Sequence, residues 1–270
     1  MGEVFGLIFD GWPHASLHYV VIFAVYELED KRSQALLGVS PLDEGSQDVD
    51  AHIRLMSNVL SVYNETMEIV CFLVADNCTT NKSIALKLGV PLVGCASHRF
   101  NLAANKFYAE FEPILEDVNS LMSQLRQPNN HAELTKHTEL RPVKCNVTCW
   151  SSTLAMVECY LRIRAEIKKV EAVEELVSTG SRHRKLVALG EHLKKPNSIS
   201  KRLQREGIDL AQVRVLFDSV KVEYPVMSDY LKAGAKIVNS PVFEAAVVKK
   251  IDGQVLAIAE KKAQRQFETS

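Results

Sequence analysis

Two aspartates each follow an apolar run in the first third of the chain, and both are placed to do metal-ion chemistry. Asp10 follows residues 5–9, and Asp76 follows residues 69–75. If these runs are neighbouring strands of one sheet, the two carboxylates emerge side by side at its edge. Paired carboxylates can share a divalent cation, which in turn polarises phosphate groups. The alternative for Asp76 is a helix cap, because an aspartate at a strand end often caps the next helix.

Two further sets of residues could contact metal or nucleic acid. Cys95 and His98 form a Cys-x-x-His pair, which is a zinc half-site that Cys145 and Cys149 could complete. Outside such a site, His98 would be an ordinary hydrogen-bonded residue. Trp150 begins a long helical segment, and its indole could either pack in the core or stack on an unpaired base.

Charge is unevenly distributed along the chain. Residues 1–100 carry 6 Lys and Arg against 12 Asp and Glu, whereas residues 161–205 carry 12 against 5. The first region therefore has a net charge of −6 and the second of +7. A basic helical region could neutralise the phosphates of a nucleic acid. The alternative is that pairs such as Lys168-Lys169 simply lie on solvated helix faces.

Composition excludes several classes of protein. The longest apolar stretch, residues 17–24, is interrupted by His18 and is shorter than the ~20 residues that a membrane span needs. The first apolar run lacks the basic flank of a secretory signal. Six cysteines lack the density of a disulfide scaffold, which favours reduced thiols in an intracellular compartment. We therefore expect a protein that is neither membrane-spanning nor secreted.

The first hundred residues alternate strand and helix signals. The predicted elements are strands at 4–9, 18–28 and 35–39, a helix from Asp48 to about residue 64, a strand at 69–75, a helix at 81–88 ended by Gly89, and a strand at 91–95. The turn between the first two strands is predicted at Gly11-Trp12-Pro13. This order predicts an α/β fold with a mixed five-stranded sheet, whose first three strands form an antiparallel meander.

No strand pattern returns after residue 97. Helices are predicted at 102–126, 151–177 and 184–193, with breaks at 127–130, 179–181 and 195–198. The sequence therefore predicts two regions, a sheet core over residues 1–96 and an all-α helical region over residues 97–270.

Several of these residues, taken in order, carry a family resemblance. They are Phe9-Asp10-Gly11-Trp12, His18-Tyr19 with Ile22-Phe23-Ala24, Ala75-Asp76-Asn77 with Asn81, Cys95 and His98 with Asn101-Leu102, and Trp150-Ser151-Ser152-Thr153. As a set they resemble the ribonuclease H-like transposase domain of the hAT superfamily over about residues 4–160. The resemblance implies a ribonuclease H-like mixed five-stranded sheet, incomplete at 1–96, followed by a helical insertion.

The resemblance also implies roles for individual residues. Asp10 and Asp76 match the catalytic aspartates, which would bind Mg²⁺ or Mn²⁺ and polarise the scissile phosphate of DNA. Cys95 and His98 fall where the family places a Cys-x-x-His pair near that phosphate. Trp150 matches the tryptophan that stacks on a base flipped from the DNA end.

The sequence departs from the family pattern at three places. The third catalytic carboxylate belongs to a Glu-Arg-x-Phe-Ser-like stretch, which residues 265–268, Arg-Gln-Phe-Glu, do not match. The arginine usual before the tryptophan is replaced by Cys149. Neither an amino-terminal BED-type zinc finger nor a dimerisation region is present. We therefore expect a truncated or decayed transposase fragment that keeps metal and DNA binding, with weak or absent Mg²⁺ affinity if the site is incomplete.

Two other readings stay open. In one, the sheet is only a scaffold, and the chain is a non-enzymatic domain that binds nucleic acid or protein. In the other, the chain is an active nuclease or strand transferase whose missing glutamate comes from Glu244 or from another chain. The resemblance implies DNA as the partner and allows self-association or pairing with a full-length transposase. It also implies a nuclear location, with a cytoplasmic location as the alternative.

Overall fold

The computed structural model describes residues 4–29, 31–42, 47–145, 150–265 and 267, without the side chains of Trp150 and Ser151. The chain divides into two compact units. The first, called the sheet unit, comprises Met1–Arg99, Asp209–Asp218 and Asp229–Ser270, and the second, called the helical unit, comprises Phe100–Ile208 and Ser219–Ser228. This division differs from the predicted boundaries 1–96 and 97–270, because two later segments belong to the sheet unit.

The sheet unit contains a mixed five-stranded sheet, as predicted. Its strands are β1 (Phe5–His14), β2 (Leu17–Leu28), β3 (Lys31–Pro41), β4 (Val70–Ala75) and β5 (Leu92–Gly94). Their order across the sheet is β3-β2-β1-β4-β5. The first three strands form the antiparallel meander expected from the sequence, while β4 pairs in parallel with β1 and β5 in parallel with β4.

The first strand is longer than its apolar run. The predicted turn at Gly11-Trp12-Pro13 is wrong, because these residues continue β1 and pair with Val20, Tyr19 and His18 of β2. In the described chain, β1 pairs with β4 only as far as Ile8, so one edge of β1 is open beyond that point. An open strand edge tolerates proline, which cannot donate a ladder hydrogen bond.

One face of the sheet is buried against two helices, α1 (Val49–Val62) and α2 (Thr79–Leu88). The buried side chains of β1, Phe5, Leu7 and Phe9, are at alternate positions, as expected for a strand with one face in the core. The main members of this core are Phe5, Leu7, Phe9, Val20, Ile22, Ala24, Met56, Leu60, Leu73 and Ile84. The Asp48 carboxylate caps α1 by accepting a hydrogen bond from the Ala51 N–H at 2.8 Å, and Gly89 ends α2 with a left-handed φ of +70°.

The remaining described chain is helical. The α-helices are α3 (Ala96–Tyr108), α4 (Glu112–Gln124), α5 (Pro128–Thr135), α6 (Trp150–Ile167), α7 (Gly180–Leu203), α8 (Leu210–Glu223), α9 (Ser228–Leu231), α10 (Pro241–Ile251) and α11 (Ile258–Arg265). Short 3₁₀ helices lie at Met67–Ile69, Ala109–Phe111, Glu171–Leu176 and Pro225–Met227. No helix in the described part of the chain combines the length and apolar character that crossing a bilayer requires.

One predicted helix break is wrong. Residues 195–198 were expected to end a helix at Pro196, but α7 runs through this proline to Leu203. Proline inside a helix removes one backbone hydrogen bond. Here Pro196 is itself buried, along with Leu186, Leu189, Leu193, Ile199 and Leu203 of the same helix. We infer that burial of this continuous apolar stripe outweighs the lost hydrogen bond.

The late segments of the sheet unit are attached through Arg99 of α3. The Arg99 guanidinium is almost fully buried, forms an ion pair with Glu244, and donates to the carbonyls of Tyr230 (3.2 Å) and Lys232 (3.4 Å). It also lies 5.3 Å from the ring centre of Phe217. A single buried side chain therefore ties α3 to α8, α9 and α10 within this unit.

Candidate functional site

The two aspartates are brought to one end of the sheet by the β1–β4 pairing. The parallel register matches Leu7 with Leu73 and Ile8 with Val74, so its continuation matches Asp10 with Asp76. Asp10 lies in the part of β1 that extends beyond β4, and Asp76 follows the last residue of β4. Both line the same pocket, whose volume is about 230 Å³. The sequence expectation that these carboxylates meet at one sheet edge therefore has a direct geometric counterpart.

Asp76 is not the cap of the following helix. The residue at that position is Cys78, whose Sγ accepts a hydrogen bond from the Asn81 N–H at 3.4 Å. The Asn81 side chain in turn donates to the Asp76 carbonyl at 3.0 Å. These contacts fix the backbone of Asp76 and leave its carboxylate to the pocket.

His98 is the direct partner of Asp76. It lies in the first turn of α3, and its Nδ1 is 3.0 Å from Asp76 Oδ2. The hydrogen bond to Asp76 raises the pKa of His98 above its ordinary value, and burial opposes this rise only in part. His98 can therefore supply positive charge beside the carboxylates.

The ionised form of Asp10 is disfavoured by its surroundings in the pocket. Partial withdrawal from water raises the pKa of the Asp10 carboxyl, and repulsion from Asp76 raises it further. The Gly11 N–H, which donates to Asp10 Oδ1 at 2.9 Å, lowers the pKa in opposition. A carboxylate whose ionisation is disfavoured by a neighbouring carboxylate is a favourable setting for a cation.

Two histidines that the sequence reasoning did not assign to the site form another part of the pocket wall. His18 and His52 have ring centres 6.3 Å apart. A Cβ atom at Gly11 would lie 2.5 Å from His18 Nε2, so glycine is required for this ring position. The His52 Nδ1 donates to the Asp48 carbonyl at 2.8 Å. The one sequence signal was the interruption of an apolar strand by His18.

Asn77, next to Asp76, joins the site to a late segment of the sheet unit. Its Nδ2 donates to the Ile237 carbonyl at 2.9 Å. A Cβ atom at Gly94 would lie 2.1 Å from the same nitrogen, so β5 needs glycine where it passes Asn77. The Oδ1 of Asn77 is buried without a hydrogen-bond partner in the structure.

The other sequence candidates are not all brought to this pocket. Cys95 precedes α3 and does not line the pocket, although His98 does. Burial raises the pKa of the Cys95 thiol, so the thiol is disfavoured as a thiolate ligand. Trp150 begins α6, but its side chain lies outside the described atoms. Of the remaining zinc candidates, Cys145 is 3.2 Å from the Thr153 hydroxyl, and Cys149 lies outside the described residues.

A third carboxylate is not found with Asp10 and Asp76 in the described part of the chain. There, no group of three or more His, Cys, Asp or Glu side chains is arranged to hold a metal ion. Glu244, the candidate donor within this chain, is paired with Arg99 and lines a different pocket. The donor set that fits a hard divalent cation is therefore the pair of aspartates alone.

Comparison with known proteins adds no family to this geometry. No protein-family model matches the chain, and no curated protein matches it.

Proposed function

We propose that this chain is a ribonuclease H-like module of the hAT transposase type, which binds Mg²⁺ or Mn²⁺ at Asp10 and Asp76 and contacts DNA. The observation that carries the proposal is the pair of carboxylates on neighbouring strands at one pocket. The order of elements, three antiparallel strands, a helix, a strand, a helix and a strand, is the order predicted from the strand and helix signals, and it is compatible with the sheet that the resemblance implies.

The residues present fit a divalent cation in charge and donor type. Asp10 and Asp76 would hold it, and the cation would supply polarisation of a phosphate oxygen. Binding would also remove the repulsion that raises the pKa of Asp10. His98 would orient the Asp76 carboxylate through its 3.0 Å contact.

Strand transfer requires more of the site than cation binding does. Productive two-metal chemistry needs ligands held within about 0.5 Å of their working positions. Because Glu244 is committed to Arg99, we expect phosphodiester cleavage by this chain alone to be weak or absent.

A non-enzymatic scaffold is the second candidate, and a specific contact favours it. His98 already gives Asp76 a partner, so a protonated imidazole could occupy the place of a metal ion. On this reading the pocket is internally neutralised, and nucleic acid or protein is bound elsewhere.

Titration with Mn²⁺, followed by electron paramagnetic resonance, separates the two candidates. We expect Asp76→Asn and Asp10→Asn each to weaken Mn²⁺ binding at least ~10-fold, because each removes one of two charged ligands. Asp50→Asn is the matched control, since Asp50 lies in the same unit but pairs with Lys87 on the surface. Absence of specific Mn²⁺ binding to the unmodified protein, or equal affinities in all variants, would support the scaffold.

A further inference from the structure

A second polar pocket, in the helical unit, is built from cationic side chains. It lies where α4 gives way to α5 and is lined by Arg126, Pro128, His131, Arg141 and Pro142. Its volume is about 410 Å³, and none of these lining residues is acidic. We call it the arginine pocket.

The charge of the arginine pocket is not neutralised within the described chain. Arg126 and Arg141 are exposed, and in the described residues neither guanidinium forms an ion pair with a carboxylate. Arg126 Nη1 donates to the Pro142 carbonyl at 3.4 Å, which positions the group without cancelling its charge. Two positive charges around one concave surface repel each other and are stabilised by an anion.

The frame around these charges is fixed by local contacts. Pro128 is the first residue of α5, and the His131 N–H closes the first helical turn on the Gln127 carbonyl at 2.8 Å. On the other side, the Arg141 carbonyl accepts a hydrogen bond from Cys159 Sγ at 3.3 Å. The two arginines are therefore carried by backbone segments that are each anchored.

The chemistry of this pocket suits a phosphate group. Guanidinium groups present paired N–H donors that match phosphate oxygens, and the amino-terminal end of α5 adds a favourable dipole. His131, in the same turn, adds a further ring nitrogen to the wall.

The geometry points to the arginine pocket as a binding site for the phosphodiester backbone of a nucleic acid. Its two arginines come from separate segments of the chain, so each can contact a different phosphate of one strand. The exposed ring of Pro128 offers apolar surface for a sugar between phosphates. This inference is independent of the cation at Asp10 and Asp76.

Fluorescence anisotropy with a labelled single-stranded oligothymidylate, in the presence of EDTA, tests the inference. We expect the Arg126→Gln/Arg141→Gln double variant to bind about 10-fold more weakly than the unmodified chain near 0.1 M salt. The slope of log affinity against log salt should fall in magnitude by about 1.4, at ~0.7 per single-strand phosphate contact. Because EDTA removes divalent cations, failure of the proposed cation site would not imitate failure here.

Two comparison variants sharpen the test. Arg54→Gln/Arg265→Gln removes the same charge from exposed positions of the sheet unit, outside the basic region at 161–205, and we expect less than a threefold loss. An equal loss in both double variants would overturn the inference, because it would indicate a general charge effect. Arg126→Lys/Arg141→Lys keeps the charge without the paired donors and should recover only part of the affinity.

Two further outcomes would also count against a nucleic acid. One is an unchanged oligonucleotide affinity in Arg126→Gln/Arg141→Gln. The other is binding of a phosphoserine peptide that this double variant abolishes while oligonucleotide binding persists, which would assign the pocket to a phosphorylated protein. Inorganic phosphate, as a competitor, should displace the oligonucleotide from the unmodified chain more effectively than an equal ionic strength of chloride.

Discussion

Consecutive residues of α3 serve two polar clusters of opposite character. Arg99 points into a buried cluster in which Glu244 and two backbone carbonyls satisfy it, with 4% of its side chain exposed. His98 faces the pocket of Asp10 and Asp76, where it pairs with the Asp76 carboxylate and 26% of its side chain is exposed. The cluster around Arg99 holds elements of the sheet unit together, whereas the charged groups around His98 line a pocket that is open to a ligand.

The largest effect is expected from breaking the buried cluster. Arg99→Met should lower the free energy of unfolding by about 3 kcal/mol, because it leaves Glu244 without its main partner. Urea denaturation monitored by circular dichroism measures this loss. The double variant Arg99→Met/Glu244→Leu should regain more than half of it, since no unpaired charge would then be left. A loss below about 1 kcal/mol in the single variant would mean that this cluster is not an anchor.

The next effect concerns His98 and depends on pH. Because the pKa of His98 is raised in the folded state, its contact with Asp76 stabilises the protein fully below the unfolded value of 6.5. The stabilisation is lost as pH rises through the raised folded pKa. His98→Asn keeps a donor near Nδ1 but cannot titrate. The stability advantage of the unmodified chain over His98→Asn, as free energy of unfolding, should therefore be greater at pH 5 than at pH 9 by roughly 1 kcal/mol, after allowing for solvent screening.

This comparison should be made by urea denaturation in EDTA. His14→Asn is the matched control, because the His14 ring contacts Tyr19 rather than a carboxylate. If His98→Asn and His14→Asn showed the same pH dependence, the link between His98 and Asp76 would carry no net free energy.

The smallest effect is expected at Asp10 and has the opposite sign. A carboxyl whose pKa is raised in the folded state destabilises the fold above that pKa, and the penalty disappears as pH falls below the unfolded value of 3.8. Asp10→Asn should therefore be more stable than the unmodified chain at pH 7 in EDTA, by roughly 0.5 kcal/mol because Asp10 is exposed and screened. Saturating Mn²⁺ should reverse the order of the two melting temperatures. Greater stability of the unmodified chain without metal would contradict the proposed repulsion.

Local signals were sufficient for the order of helices and strands in the first hundred residues, although not for every boundary. The cap at Asp48, the left-handed Gly89 and the alternation of buried residues in β1 are short-range features, and each predicts its element directly. Two local signals misled, at Pro13 and Pro196. In the first case an open strand edge accommodates the proline, and in the second a buried apolar stripe does so.

The rest could not be predicted because it depends on distant pairs. The contacts of Arg99 with Glu244 and of Asn77 with Ile237 join residues more than a hundred positions apart. Neither pair has a spacing or motif that marks it. Asp10 and Asp76 can be recognised in the sequence because each follows an apolar run. His52 reaches the pocket from the start of α1, and no local pattern marks it.

His98 and Arg99 are consecutive residues of α3, so one turn of helix connects the candidate site to the buried cluster around Arg99. Successive side chains on a helix are about 100° apart, so the two neighbouring residues point into different surroundings. A substitution among residues 230–244 that releases Arg99 would change the packing directly beside His98. A substitution far along the sequence can therefore affect the contact between His98 and Asp76 through α3.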